Sequence, residues 1–188
     1  MKPEWLREMF PADFNDRIET RYDRGSKRVT AERQVRFRDL PLETKPCDPD
    51  PEAAAVLLAA EVLRGDIALP LWNETVDQWL WRVAAVARHL PELGIPPFTD
   101  DERRAAIRAV CAGAMSARDL KDRPVLAAVK SRLEPRLLGL VEKHAPERVE
   151  LRNGKRARVT YAAQGAPSIA MKIQDLYGVT ESPRILGG

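Results

Sequence analysis

Cysteine and histidine are scarce in this chain, with two of each among 188 residues. Cys47 sits in a Pro/Asp-rich stretch and Cys111 in a helical pattern, so the pair forms no disulfide framework. His89 and His144 each close a predicted helix, where a partly cationic imidazole stabilises the negative end. With no third histidine or paired cysteine nearby, a zinc site lacks ligands. Ser/His/Asp chemistry would have to draw on the same two histidines, and no Gly-x-Ser-x-Gly elbow exists. No run approaches the ~20 apolar residues of a membrane span. The opening Met1-Lys2-Pro3-Glu4-Trp5 has no apolar core of the secretion-signal kind. The expected setting is a reducing cytoplasm. The phosphate-cradling pattern Gly-x-x-x-x-Gly-Lys-Ser/Thr is also missing, as is an acidic metal-holding run. Gly154-Lys155, the only Gly-Lys pair, falls in a hairpin turn that no predicted helix follows. ATP hydrolysis needs backbone amides and a lysine around the phosphates and a carboxylate on magnesium, so the chain is not expected to be a self-contained ATPase.

What is present suits a folded chain. Apolar residues make up 44% and charged residues 31%, and a chain of this size buries roughly 70% of its unfolded surface. The fifteen prolines fall mainly between periodic stretches. A net charge of +3 says less than its placement. Eight basic residues face four acidic ones between Asp16 and Arg38, and six face Glu150 alone between Arg148 and Lys172. Pro51 to Glu147 is balanced, with 13 basic and 14 acidic residues. Clustered Lys and Arg release counterions from a phosphate backbone, which makes both ends candidate nucleic-acid surfaces. A solvated charged face is the alternative.

A helical turn around Glu4–Met9 precedes two alternating strands, Asp16–Tyr22 and Arg28–Arg38, joined by a Gly25 loop. An isolated hairpin is marginal in water, so this pair calls for more sheet. Pro41–Pro51 reads as a linker, with the domain boundary at 46–50. Asp50 and Pro51 open a helix through Arg64 that Gly65 stops, with Val56, Leu57, Ala60 and Leu63 as its apolar stripe. Asn73 caps a helix over Glu74–His89, with Val76, Trp79, Leu80 and Val83 inward. Trp72, Trp79 and Trp81 cannot all share one face. Thr99 and Glu102 form a capping box opening Asp100–Ala112. Helical stretches at Pro124–Leu133 and Pro135–His144 complete a mainly helical middle, 51–147. Arg148–Leu151 and Arg156–Tyr161 then form a hairpin around Asn153-Gly154. Ser168–Leu176 reads as a last helix, with Ile169, Ile173 and Leu176 on one face. The fold class is α+β, a helical centre (51–147) flanked by β segments at 1–45 and 148–188.

Two clusters carry chemistry worth weighing. Asp100, Asp101 and Glu102 sit in a first helical turn, where capping and dipole compensation account for them without a metal. The hairpin Arg152–Arg158 puts Arg152, Lys155, Arg156 and Arg158 on or beside a rigid turn, with Tyr161 near enough to stack a base. Edge-strand protection by the same cations is the competing explanation. Arg36 and Arg38 extend the candidate set in the more mixed N-terminal hairpin.

Several stretches, in order, resemble a known family. They include Glu4-Trp5-Leu6, Phe10-Pro11, Tyr22-Asp23, Arg36-Phe37-Arg38-Asp39-Leu40, Leu71-Trp72, Gln78-Trp79 and Arg82-Val83. Pro91-Glu92-Leu93-Gly94, Pro96-Pro97, Asp119-Leu120-Lys121-Asp122 and His144-Ala145-Pro146-Glu147-Arg148 follow. The last are Asn153-Gly154, Val159-Thr160-Tyr161, Ile173-Gln174-Asp175-Leu176-Tyr177-Gly178 and Pro183-Arg184-Ile185, with Ser182 where the family has Thr. Together they resemble the region after the motor in bacterial HrpB-type ATP-dependent RNA helicases of the DEAH/RHA class. The resemblance implies that residues 1–45 close an OB-like domain, and that the sequence is cut from a longer chain at both ends. It implies an accessory region that binds or guides RNA or single-stranded nucleic acid, beside motor domains that use ATP and magnesium. The fragment itself would hold no cofactor and no catalytic residue. The basic residues named above would be phosphate contacts and Tyr161 a stacking platform. A docking module, in which Trp72 and Trp81 meet the motor or another protein, is the alternative.

Overall fold

Strict alternation along the first hairpin produces a long antiparallel pair, β1 (Phe14–Asp23) and β2 (Arg28–Phe37), seen in a computed structural model that describes residues 9–179, 181 and 183–187. The turn between them is held by Asp23, whose carboxylate accepts from the Gly25 N–H at 2.9 Å and the Ser26 hydroxyl at 2.6 Å. A third strand, β3 (Leu40–Cys47), pairs with β2 across a bulge between Val35 and Arg36. This corrects the expected linker at 41–51. Pro41 and Pro46 lack an N–H, but β3 is the edge of the sheet, where a missing donor leaves no ladder bond broken. The helical turn expected around Glu4–Met9 lies outside the described residues, Met9 apart.

Helix α1 (Pro51–Arg64) starts and stops as its sequence dictates. The Asp50 carboxylate accepts from the Ala53 N–H, and Gly65 adopts φ 86° beyond its C-terminus. Its buried face is Ala54, Ala55, Leu58 and Ala59, while Val56 and Leu63 are exposed. The stripe expected from Val56, Leu57, Ala60 and Leu63 is therefore rotated. The helix is apolar over most of its circumference, and small alanines permit the closer approach.

The described residues divide into two compact units that interleave along the chain. One comprises residues up to Leu69 with Ile107–Arg123; the other comprises Pro70–Ala106 with Pro124 onward. In the first, α1 lies against β1, and the Val29 N–H donates to the Met115 carbonyl at 2.8 Å. Cys111 is buried there, and burial pushes its thiol up to about 11, so it stays a neutral core side chain.

The second unit is organised by α2 (Glu74–His89), with the Asn73 side chain accepting from the Thr75 N–H at its start, a cap worth about 1 kcal/mol. Helix α3 (Asp100–Cys111), of which residues up to Ala106 belong to this unit and Ile107 onward to the first, begins at Thr99, whose hydroxyl accepts from the Glu102 N–H at 3.3 Å. Helices α4 (Val125–Lys130) and α5 (Pro135–His144) pack on α2. The chain then forms a second antiparallel sheet of β4 (Arg148–Glu150), β5 (Arg156–Thr160) and β6 (Ser168–Ile169). The last helix expected over Ser168–Leu176 is absent. Ser168 and Ile169 pair with β5 instead, and only Ile173–Leu176 winds into a 3₁₀ turn.

Val76, Trp79, Val83 and Val86 of α2 are core residues, yet Gln78 and Arg82 are buried beside them. Arg82 is 1% exposed, and every side of its guanidinium is used. Nε donates to the Ala145 carbonyl at 2.6 Å, NH2 reaches Glu142 at 2.7 Å and NH1 reaches Glu147 at 2.9 Å. Its plane also lies over the Trp79 ring, 5.1 Å from the centroid, and the Lys130 ammonium is 4.4 Å from that centroid.

Arg82→Met keeps the stem but removes the fork, orphaning the Ala145 carbonyl. It is expected to lower stability by about 2–4 kcal/mol, read as a urea midpoint. Burial raises the Glu142 pKa, but the hydrogen bonds and charges of Arg82 and Lys130 outweigh it, so the carboxyl sits below its ordinary 4.5. A depressed folded value adds stability above the ordinary carboxylate range that drains away as pH falls through the lowered value. Glu142→Gln should therefore destabilise the chain at neutral pH and flatten the acid limb of a stability-against-pH profile.

Candidate nucleic-acid interface

The β4–β5 hairpin separates its side chains cleanly. Val149, Leu151, Ala157 and Val159 face the core, and Arg148, Glu150, Arg156 and Arg158 face outward. Its loop is Arg152-Asn153-Gly154, with the Gly154 N–H donating to the Leu151 carbonyl at 2.8 Å and Gly154 at φ 77°. Glycine accepts that left-handed conformation without the cost a Cβ brings. A three-residue loop sets Arg148 directly opposite Arg158 and Glu150 opposite Arg156.

Hydrogen bonds from Val159 N–H to the Glu147 carbonyl and from Leu151 N–H to the Lys155 carbonyl fix the ladder phase. Arg148 and Arg158 consequently form a non-hydrogen-bonded pair, the kind in which side chains stand closest, with Cα atoms about 4.5 Å apart. Like charges directly opposite each other repel. Among the described residues neither arginine has an acidic partner within 4.0 Å. Arg156 has a distant one, its Nε 3.9 Å from Glu150, and both side chains are well exposed. The outward face is therefore a cationic strip short of counter-charge.

The expected loop cations are placed differently. Lys155 pairs with Asp175 at 2.5 Å and Arg152 with Glu181 at 3.1 Å. Between them, Asn153 uses its whole amide: Oδ1 accepts from the Lys155 N–H at 3.1 Å, and Nδ2 donates to the carbonyls of Asp175 at 2.9 Å and Tyr177 at 3.1 Å. The segment after β6 is thereby strapped to the hairpin loop.

Tyr161 is not a stacking platform. It is 1% exposed, its hydroxyl donates to the Pro146 carbonyl at 2.8 Å, and burial pushes its pKa up to about 12. It continues the inward face of Ala157 and Val159, so no ring face is free for a base. Its backbone is clamped by Gln78, which donates to the Tyr161 carbonyl at 3.0 Å and accepts from its N–H at 2.9 Å.

Arg36 and Arg38 belong to the other compact unit. Arg36 donates to the Asp39 carbonyl at 2.7 Å. Arg38, at φ 53°, pairs with Asp13 at 3.2 Å and lies over the Phe37 ring, 5.6 Å from its centroid. Arg21 with Glu32 and Arg33 with Asp16 are paired on the same sheet. Trp72 has Arg103 over its ring at 5.1 Å, while Trp81 lines an open groove with Leu80, Ala84, Ala87 and Phe98. Among the described residues no group of three His, Cys, Asp or Glu side chains is arranged to hold a metal, and no helix is long and apolar enough to cross a membrane.

Residues 107–188 match the family HrpB_C, described as ATP-dependent helicase C-terminal. Over 121 residues the chain is 24% identical to the ATP-dependent RNA helicase HrpB of Escherichia coli K12, covering 62% of this chain and 15% of the relative. The likeness is to the C-terminal region of an HrpB-type helicase. The fold agrees. The crystal structure of the E. coli DExH-box NTPase HrpB superposes with a TM-score of 0.67 at 19% identity, over all of this chain and 24% of that one. A crystal structure of the Escherichia coli DEAH/RHA helicase HrpB gives 0.67 at 19%, over 94% of this chain and 23% of the other. The chain thus spans about a quarter of the solved HrpB chains it matches.

Charge clustering in the sequence includes Arg148 without pairing it with Arg158, and it does not point to Asn153 or Tyr177. Equal inside-outside parity on the two strands places Arg148 on the strip. For the strap, Asn153→Ala removes three hydrogen bonds and leaves Gly154 to make the turn. Amide exchange across 173–179 is then expected to quicken while β4 and β5 keep their protection, as read by hydrogen-exchange mass spectrometry.

Proposed function

We propose that this chain is an accessory C-terminal region of an ATP-dependent RNA helicase and contributes nucleic-acid contact through the outward face of β4–β5. The observation that carries the reading is Arg148 set opposite Arg158 with no acid between them. A phosphate placed between two such guanidiniums relieves their repulsion and accepts hydrogen bonds from both, which an isolated pair cannot achieve in water. Arg156 lies on the same face two residues away. Arg152 and Lys155, engaged with Glu181 and Asp175, are secondary contacts. Arg36 and Arg38 are separate contacts carried by the first unit.

In this reading ATP and magnesium act in motor domains of the same parent chain, which works in the cytoplasm, and this region supplies no catalytic group. The β1–β3 sheet would complete an OB-like domain. A docking role against those motor domains is the second reading, favoured by the half-buried Trp81 in its apolar groove.

The test is binding of fluorescein-labelled oligouridylate across a salt series. Arg148→Glu with Arg158→Glu is expected to weaken binding at least about tenfold at low salt and to reduce the slope of log K against log salt by about two contacts. Unchanged affinity and slope would remove the strip from the nucleic-acid path.

A further inference from the structure

We infer that Tyr177, held at the loop of the cationic hairpin, is a stacking platform for an unstacked nucleobase, which makes single-stranded RNA rather than duplex the ligand of this surface. The inference rests on the reading of β4–β5 as a phosphate-binding face.

Tyr177 is 75% exposed, unusual for a side chain with so much apolar surface, and Ile173 and Leu176 beside it are also exposed. Its position is nevertheless fixed. The Tyr177 carbonyl accepts from Asn153 Nδ2, Asp175 two residues earlier grips Lys155, and the Val179 N–H donates to the Leu176 carbonyl at 3.0 Å. Gly178 at φ 79° then turns the chain away. The backbone is thus held from three sides while most of the side chain stays open to solvent. A tyrosine on a fixed backbone has only two side-chain torsions left to order, so little entropy is lost when a base lies on it.

Its neighbours favour nucleic acid over a purely apolar partner. Lys155, paired with Asp175, Arg152, paired with Glu181, and Arg156 all lie within three residues of Asn153, the side chain that holds the Tyr177 backbone, and exposed pairs of this kind give way to a phosphate. Single-strand binders combine basic side chains that track phosphates with an exposed ring that takes a base of any identity. Duplex RNA presents its bases already stacked, and its deep major groove admits no side chain to reach them. The cationic strip alone would bind both forms. The exposed ring adds a contact that only the single strand can make.

The experiment compares oligouridylate with an RNA duplex of the same strand length, bound to the 188-residue chain. Tyr177→Ala is expected to weaken oligouridylate binding roughly five- to hundredfold, leave the salt slope unchanged and leave duplex binding as it was. Tyr177→Phe keeps the ring and should restore the affinity. The substitution is on the surface, and circular dichroism checks that the fold is kept. If Tyr177→Ala binds like the parent while the Arg148/Arg158 reversal weakens binding, the stacking role is wrong and the phosphate reading stands. If neither variant changes binding, both fail. Should Tyr177→Ala weaken only association with added HrpB-type motor domains, the ring is a protein contact and the inference is overturned.

Discussion

The buried guanidinium of Arg82 is the interaction on which the placement of the β4–β5 hairpin depends. Placing a charge in a core is costly unless it is paired and hydrogen-bonded, and here each guanidinium nitrogen donates, to one carbonyl and two carboxylates, while the face lies on Trp79. Those partners are Glu142 on α5, Ala145 just past its end and Glu147 at the entrance to β4, so one side chain of α2 fixes where the hairpin begins. Gln78, one turn earlier on α2, fixes where it ends, through both backbone groups of Tyr161. A hairpin held at both strands by a helix is a rigid mount, and rigid mounts are what let a few arginines meet phosphates with little ordering cost.

Rigidity also explains the division of labour among the cations. Those on the loop are matched by acids that follow in sequence and serve to fasten the segment after β6. Those on the strands are set by register, and register cannot be relaxed side chain by side chain. Arg148 and Arg158 must face each other as long as Val149, Ala157 and Val159 stay in the core. The like-charge juxtaposition is therefore maintained by packing on the opposite face of the same two strands. Exposed ion pairs such as those of the loop are worth little each, up to about 1 kcal/mol, so a polyanion can compete for them.

Much of the fold is legible in the sequence where local chemistry decides it. Asp50, Asn73 and Thr99 cap the helices that their positions announce, and Asn153-Gly154 marks the second hairpin. The departures share a cause: a local pattern that does not discriminate. Helical periodicity selects a face only when the other faces are polar, and α1 is apolar nearly all round, so its stripe points to the wrong side. Ile169, Ile173 and Leu176 have helical spacing by coincidence, and pairing with β5 outweighs it. Pro41 and Pro46 disguise β3 because a proline excludes an interior strand but not an edge. The burial of Tyr161 is present in the alternation that places Val159 inward, but its aromatic character suggests a binding role that the packing denies. Tyr177 falls just past the expected helix, inside a family-like stretch, but neither signal tells an exposed ring from a packed one. The likeness to HrpB-type helicases accounts for the order of the segments, whereas the role of the strip and its neighbouring ring rests on register, charge and exposure.

Ultraviolet crosslinking of single-stranded RNA to the intact chain, followed by mass-spectrometric mapping of the attached peptides, tests that role most directly. Crosslinks concentrated in 148–158 and at Tyr177, and lost at high salt, are the expected result. Crosslinks confined to the helical residues of α1–α5, or none at low salt, would contradict it.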